Sequence, residues 1–309
     1  MKRVLIVVVL VIGAATLGLW RSHGGIRAGL NKAVGISSED SQGEARDETR
    51  KSFELQPGAR LDVQGINGKV EIQTSDTKTA EVYVLRTAKN SESLSRREVV
   101  IEQTATGLLV RGQEARHVGV WEHLFGSNPN EQVTIKAPRQ IALSLKGING
   151  RVTSGDIDGT IEAKGINGRV ELGQASESAE IGGINGSVVV GLKQLGERGA
   201  RLSGINGGIE LRLGNGLNAD LTARGMNGKV RSDIPDITVD EGDHGSRYSA
   251  RIGTGGAPIT LSGINGNVRL TRGESAATNS AASEKKPAAA TEKTEKSATD
   301  TKSAKSSGQ

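Results

Sequence analysis

The sequence predicts an all-β protein, a single-stack β-solenoid or β-helix with coils of about 18–21 residues. A four-residue motif, Gly-Ile-Asn-Gly, recurs at nearly constant spacing. On both sides of it apolar and polar residues alternate, which is typical of strands with one buried face. The 309 residues include 43 glycines and only two each of Trp, Tyr and Phe, which indicates a thin core of small and aliphatic side chains.

The spacing of the motif sets the expected coil length. Gly-Ile-Asn-Gly begins at positions 65, 147, 165, 183, 204 and 263, and Gly-Met-Asn-Gly begins at position 225. From 147 onward the starts lie 18, 18, 21, 21 and 38 residues apart, and 38 is close to two periods of 19. Because each coil must return to the same place to stack on its predecessor, this regularity favours a solenoid over a row of antiparallel hairpins.

Each motif is predicted to be a turn between two strands. Alternation precedes the motif, as in Leu143–Lys146, and resumes behind it with an inward residue such as Val152. Asn-Gly tolerates positive φ and therefore suits a tight corner. Stacking would align the second motif position as an internal column and the third as an amide ladder. These turn and ladder residues are Ile148, Asn149, Ile166, Asn167, Ile184, Asn185, Ile205, Asn206, Met226, Asn227, Ile264 and Asn265.

The remaining chain divides around the regular repeat, residues 139–272. Residues 53–138 hold one early motif and irregularly spaced strand-like runs, and are predicted to be a β lead-in that caps the stack, since terminal coils otherwise expose unpaired edges. Residues 22–52 are rich in Gly, Ser and charge, which predicts a flexible tether. Residues 273–309 are nearly all Ala, Ser, Thr, Lys and Glu, which predicts a disordered tail.

The first 21 residues are predicted to direct the chain to a membrane. Met-Lys-Arg precedes an uncharged apolar run, Val4–Trp20, whose length is at the lower edge of the roughly 17–25 residues that span a bilayer. A single-pass signal anchor is the first interpretation, and a cleaved signal peptide is the alternative. The expected location is a bacterial inner membrane with the body in the periplasm or outside the cell, or secretion if the segment is cleaved.

Three features together resemble a known group of bacterial proteins: the repeated Gly-Ile-Asn motifs, the Ile-Lys-Ala-Pro strand at Ile135–Pro138, and the final run at Ile252–Leu270. They resemble the bacterial putative adhesin families, namely the DUF4097 domain and the related head-GIN domain. The resemblance covers roughly Phe53–Arg272. It implies a β-solenoid-like fold on an envelope or secreted protein, and it brings no catalytic or ligand residues with it.

Basic residues beside the turns are the candidate ligand contacts. They are Lys146, Arg151, Lys164, Arg169, Arg224 and Lys229. Stacked coils would place like charges side by side, which costs free energy unless an opposite charge lies nearby. An anionic glycan or envelope surface would supply that charge. Alternatively, Glu162 and Glu171 lie on the same faces and would supply it internally, leaving the turns with a structural role only.

A catalytic role would require paired carboxylates on the outward face of the stack. The outward positions repeat as Ser144, Glu162, Glu180, Arg201, Thr222 and Thr260. Glu162 and Glu180 would lie side by side, so a β-helix polysaccharide lyase or hydrolase is the rival interpretation. The chain contains no Gly-x-Ser-x-Gly, His-Glu-x-x-His or phosphate-loop motif. We therefore predict a non-enzymatic adhesin-like or structural binding module of the cell envelope, without catalytic residues or cofactor.

No metal site or nucleic-acid interface is predicted either. The loop His117–Phe125 offers two histidines without a third ligand and is expected to form an apolar plug or a contact patch. The acidic run Asp233–His244 lacks the ligand spacing of a calcium loop. The chain has no cysteine, which excludes disulfides and cysteine-based zinc sites. The net charge of +5 is mild, and no aromatic residues alternate with the basic ones as base stacking requires.

Overall fold

The computed structural model describes residues 45–114, 129–242 and 246–273. Within these ranges the regular secondary structure consists of β-strands and one short helix, α1 (Ser91–Ser95), so the all-β prediction is confirmed. None of the described helical structure is long and apolar enough to cross a membrane. The predicted membrane segment, most of the tether, the His117–Phe125 loop and nearly all of the tail lie outside the described residues.

Twenty-one strands are described. In chain order they are β1 (Ala45–Glu54), β2 (Ala59–Gln64), β3 (Gly68–Ser75), β4 (Thr79–Ala88), β5 (Arg97–Thr104), β6 (Gly107–Glu114), β7 (Asn130–Pro138), β8 (Ile141–Lys146), β9 (Val152–Ser154), β10 (Thr160–Asn167), β11 (Val170–Ala175), β12 (Ser178–Asn185), β13 (Val188–Leu192), β14 (Ala200–Asn206), β15 (Ile209–Leu213), β16 (Ala219–Asn227), β17 (Val230–Ser232), β18 (Val239–Glu241), β19 (Arg247–Ile252), β20 (Ala257–Asn265) and β21 (Val268–Arg272).

The strands form two large sheets that enclose one core. The first sheet has ten strands in the order β1-β4-β7-β3-β9-β11-β13-β15-β21-β17, and the second has eleven in the order β18-β19-β16-β20-β14-β12-β10-β8-β2-β6-β5. Pairing is parallel throughout the repeat and antiparallel at three of the four outer ends; at the fourth, β17 pairs in parallel with β21. Both sheets are therefore mixed, and each has two open edges.

Each repeat contributes one strand to each sheet. For example, β10 lies in the second sheet, the chain turns at its motif, and β11 lies in the first sheet. Equivalent residues of successive repeats pair directly, so that Ile161 lies between Leu143 and Ala179. Their alternate side chains point into the core, which contains mainly Val, Ile, Leu and Ala. The regular alternation along each strand thus produces one continuous apolar interior.

Glycine at the ends of each motif permits close stacking of the corners. Gly165 and Gly168 have φ of +64° and +145°. A Cβ at Gly168 would lie 1.9 Å from the carbonyl oxygen of Gly150 in the neighbouring corner. No side chain fits there, so the last glycine of the motif is required by the distance between corners as well as by its backbone conformation.

The order of the last two repeats differs from the chain order. The final repeat, β20 and β21, lies between β14/β15 on one side and β16/β17 on the other. The interpretation of the 38-residue spacing as two successive stacked periods is therefore wrong. The intervening chain forms β18 and β19, and β19 pairs antiparallel with the outer side of β16. Because β19 occupies that outer side, the last repeat pairs with the inner side of β16.

At the opposite end the early motif belongs to the same stack. Strand β2 pairs with β8 and β3 pairs with β9, both in parallel. Beyond them, β7, β4 and β1 extend the first sheet, and β6 and β5 extend the second. The outermost strand of the second sheet at this end, β5, comes from the region predicted to cap the repeat. The outermost strand of the first sheet, β1, instead lies mostly within residues 22–52, and the prediction of a flexible tether is wrong for residues 45–52, because they pair with β4 as a regular strand.

Candidate functional site

The corner of the stack carries a continuous ladder of asparagine amides. Each Nδ2 donates to the Oδ1 of the asparagine in a neighbouring repeat, at 2.9–3.3 Å, except that of Asn67, which donates to the carbonyl of Pro129 at 3.4 Å. In spatial order the ladder runs Asn67, Asn149, Asn167, Asn185, Asn206, Asn265 and Asn227. The buried column behind it is Ile66, Ile148, Ile166, Ile184, Ile205, Ile264 and Met226. Both rows continue through the inserted final repeat.

The first end of the ladder is anchored by a buried ion pair that the sequence analysis missed. Glu131 is fully buried, and its Oε2 accepts a hydrogen bond from the backbone N–H of Asn67 at 2.7 Å. Its Oε1 accepts from Arg97 Nε at 3.1 Å. Arg97 also donates to the carbonyl of Gly65 at 2.6 Å. No motif marks Glu131 in the sequence, because its partners lie far away along the chain, Asn67 in the turn between β2 and β3 and Arg97 in β5.

The outward face of the second sheet carries a charge cluster around Glu162. Its Oε1 lies 3.2 Å from Lys146 Nζ and 3.1 Å from Lys164 Nζ. Its Oε2 lies 3.2 Å from Arg60, which also contacts Asp62 at 2.9 Å. The charge cluster is completed by Glu180, 2.8 Å from Lys164 Nζ. The three cations and three carboxylates of the charge cluster balance each other, so little net charge is left at this position.

Electrostatics in the charge cluster keep Glu162 ionised. Burial by itself would raise its pKa, but hydrogen bonds from Lys164 and Lys146 and their positive charges lower the pKa to about 2. In return, Glu180 and then Glu162 raise the pKa of Lys164. Glu162 therefore carries no proton near neutral pH and has none to donate to a leaving group.

The predicted row of outward positions, on which the rival enzyme interpretation depends, is present with its last two members exchanged by the inserted repeat. In spatial order it runs Ser144, Glu162, Glu180, Arg201, Thr260 and Thr222. Ser144 is 1% exposed, and its hydroxyl has no hydrogen-bond partner among the described residues. Glu162 and Glu180 are joined through Lys164 rather than facing an open groove.

On the first sheet, two of the basic residues beside the turns are neutralised by the residue two positions later. Lys69 contacts Glu71 at 2.7 Å, and Arg169 Nε donates to Glu171 at 2.9 Å. Arg151 lies between Lys69 and Arg169 in the stack, is exposed, and has no ion-pair partner within the described ranges. Carboxylates of the chain itself thus neutralise Lys146, Lys164 and Arg169, which is the alternative that the sequence left open. Arg151 has no such carboxylate among the described residues.

At the last corner a basic patch remains without acidic partners. Arg224 lies directly opposite Arg247 in the β16–β19 pair, and both are exposed. Lys229 and Arg231 are exposed on the other side of the same corner. In the part of the chain that the structure describes, none of these four is within ion-pair distance of a carboxylate. We call Arg224, Lys229, Arg231 and Arg247 the terminal basic patch.

Two adjoining clefts lie away from all the predicted site residues. They measure about 390 and 300 Å³ and share Pro57 and Gln140. The larger one is lined in part by Asp158 and Glu177. Across the described ranges no three His, Cys, Asp or Glu side chains are grouped closely enough to hold a metal ion. In the acidic run, Asp233 contacts Arg269, and His244 lies outside the described residues.

Comparisons with known proteins give distant structural likenesses only. No family model matches the chain, and no curated protein matches it. The chain is similar to a putative cell adhesion protein from Clostridium sporogenes, at 13% identity and a TM-score of 0.38, covering 74% of this chain and 100% of that one. A putative adhesin from Bacteroides fragilis matches at 9% identity and a TM-score of 0.34, covering 72% and 97%. A putative lipid binding protein from Parabacteroides distasonis matches at 10% identity and a TM-score of 0.22, covering 74% and 95%.

Proposed function

We propose that this chain is a non-enzymatic binding module of a bacterial cell envelope, adhesin-like in the sense of the DUF4097 and head-GIN resemblance. Its repeat region is a single-stack β-solenoid, and its N-terminal segment holds it at the membrane. The solenoid interpretation is supported by the repeats, each of which adds one strand to both sheets in matching register. The main support for this function is that equivalent side chains of successive repeats form rows along the stack, spaced by about 4.8 Å. Such rows favour many weak contacts that add together.

The ligand of this module is an anionic group, and its contact is the terminal basic patch. Lys146, Lys164 and Arg169 already have carboxylate partners, so a ligand would have to compete with these internal ion pairs. Arg224 and Arg247 instead form an exposed like-charge pair, which an external anion would stabilise. A glycan carboxylate and a lipid phosphate share this chemistry, and the experiment separates the two.

Binding is to be measured on the full chain, purified in mild detergent because Val4–Trp20 is apolar. The probes are a polyuronate polysaccharide, anionic phospholipid vesicles and neutral vesicles, each at low and high salt. Binding to one anionic probe that weakens at high salt supports the proposal and identifies the source of the anion. Absence of salt-sensitive binding to both anionic probes would overturn it, leaving a scaffold role.

Matched double variants locate the contact. Arg224→Ala with Lys229→Ala is expected to weaken binding roughly 25-fold, because each cation near an anionic surface contributes about 1 kcal/mol, or about fivefold. The control, Lys146→Ala with Lys164→Ala, also removes two cations but from the charge cluster, and should change binding less than threefold. Equal losses in the two variants would refute the assignment to the terminal basic patch.

The rival function, a polysaccharide-acting enzyme, requires Glu162 or Glu180 to act as a general acid. The ion pairs of Glu162 and its pKa of about 2 speak against this role. We expect Glu162→Gln to bind the glycan like the parent chain and to leave the amount of released sugar unchanged. A glycan-degrading activity that disappears in Glu162→Gln would favour the enzyme instead.

A further inference from the structure

The outermost strand of the first sheet, β1, is open along one side. In the described residues it pairs with β4 alone, over all ten of its positions. It contains neither proline nor glycine, and its pairing with β4 has no bulge. A long, regular open edge is a template for pairing with another strand, which proteins normally prevent with bulges, prolines or charges.

The hydrogen bonds to β4 determine which residues of β1 face the open side. Leu55 N donates to the carbonyl of Lys78 at 2.9 Å, in the same register as the β1–β4 ladder. Because bonded and non-bonded pairs alternate in an antiparallel ladder, the odd-numbered residues of β1 bond to β4. The even-numbered residues therefore direct their N–H and C=O groups outward. The free run ends at Glu54, whose carbonyl accepts from Gln103 at 3.2 Å.

A second copy of this strand can pair antiparallel with the open edge in only a few registers. The outward N–H and C=O groups belong to even-numbered residues, so even-numbered residues of the two copies must lie opposite each other. Symmetry about Glu48 would place Glu48 against itself and Arg46 against Arg50. Symmetry about Arg50 would place two arginines on the axis. Symmetry about Thr49 places Glu48 opposite Arg50 and Asp47 opposite Lys51, and the two-fold axis repeats each pair. The charges of β1 thus favour the register centred on Thr49.

We propose that β1 is a homodimerisation edge, at which a second copy of this chain pairs antiparallel about Thr49. Arg46 with Ser52 and Glu48 with Arg50 become hydrogen-bonded pairs, each formed twice, for about eight backbone hydrogen bonds. Within the chain Glu48 contacts Arg46, Asp47 contacts Arg86, and Lys51 Nζ donates to the carbonyl of Ile101 at 3.4 Å. Glu48 and Asp47 keep 43% and 39% of their side chains exposed, which leaves room for a second contact from a partner strand. The dimer joins two ten-stranded sheets edge to edge and closes the β1 edge of each copy. It presents two copies of the stack whatever ligand they bind.

Charge reversal tests the register. Glu48→Arg and Arg50→Glu, made separately in the full chain in detergent, each create two like-charge pairs across the axis. We expect the parent to sediment as a dimer, and we expect the dissociation constant of each variant dimer to be on the order of tenfold higher. An equimolar mixture of the two variants should regain the parent's affinity, because both pairs between positions 48 and 50 are then of opposite charge. The matched control, Arg224→Glu at the far end of the stack, should dimerise like the parent.

A cross-link tests the axis in a chain that has no native cysteine. Thr49 would meet its own copy in a non-hydrogen-bonded pair, with Cα atoms about 4.5 Å apart, within the range of a disulfide. Thr49→Cys should therefore form a covalent dimer under mild oxidation. Ser52→Cys, the control, would lie about 20 Å from its own copy and should not. A monomeric parent, no rescue in the mixture, or equal cross-linking of the two cysteine variants would overturn the proposal.

Discussion

Alanine at the last glycine of a motif should destabilise the stack far more than alanine at the first. At Gly168 a Cβ would lie 1.9 Å from the carbonyl oxygen of Gly150, whereas at Gly165 the nearest atom would be 3.8 Å away. Both glycines have positive φ, but Gly165 at +64° lies in the left-handed region that other residues also visit, whereas Gly168 at +145° lies in a region found almost only in glycine. The difference between the variants therefore combines the contact between stacked corners with a larger backbone cost at Gly168.

The magnitude follows from the displacement that the new methyl group requires. Relieving the contact opens the corner by more than about 1 Å, since nonbonded heavy atoms prefer roughly 3.5 Å. The bonds from Gly150 N to Asn167 O and from Asn167 N to Ile148 O, both 2.9 Å, would then exceed hydrogen-bonding distance. Two lost bonds at about 1 kcal/mol each, with about 1–3 kcal/mol for the backbone conformation at Gly168 and further loss in the ladder, give about 4 kcal/mol. Gly165→Ala should cost only about 1 kcal/mol.

Thermal unfolding followed by circular dichroism separates the two variants. For a folded body of this size, 1 kcal/mol corresponds to about 2–4 °C in Tm. Gly168→Ala should therefore lower Tm by roughly 10 °C or more, and Gly165→Ala by about 3 °C. Similar Tm values for the two variants would refute the reasoning, because they would show that the corners separate without loss.

Three further predictions concern the ladder and the two ion-pair groups. Asn185→Ala removes two amide hydrogen bonds and should lower the free energy of unfolding, measured in urea, by about 1–2 kcal/mol. Asn227→Ala, at the end of the ladder, removes one such bond and should lower it by about half as much. Equal losses in the two variants would contradict the ladder's contribution to stability. The pKa of Glu162, about 2, lies below the ordinary carboxyl value near 4.3, so its ion pairs stabilise the fold above that value. This stabilisation, about 1–3 kcal/mol, should disappear as the pH falls toward 2, and Glu162→Gln should lose that part of the pH dependence. Glu131→Gln should lower the free energy of unfolding by about 3–5 kcal/mol, because it leaves Arg97 without its charged partner. The control, Glu81→Gln, loses only a solvent-exposed contact with Lys136 at 3.6 Å and should lower it by under about 1 kcal/mol. Denaturant midpoints of the two variants measure the difference.

The partners of the candidate site could not be assigned before the structure. Sequence spacing placed Lys146, Lys164 and Glu162 on one face but left open whether a ligand or a carboxylate neutralises the lysines. The answer depends on cross-strand register, which positions Glu162 between the two lysines. The pair Arg224 and Arg247, which has no carboxylate partner among the described residues, was still less accessible to prediction, because the β16–β19 pairing that creates it involves no repeated motif.

The sequence by itself determined the strands, the corners and the inward positions of each repeat. These features are local: alternation with period two selects the buried face, and Gly-x-Asn-Gly permits the corner. Only the tertiary structure decided which repeats are neighbours. All repeats share one pattern of inward and outward residues, so β14 is compatible with either β16 or β20 as its neighbour. The antiparallel β19 occupies the outer side of β16, and the final repeat therefore lies inside the stack, between β14 and β16.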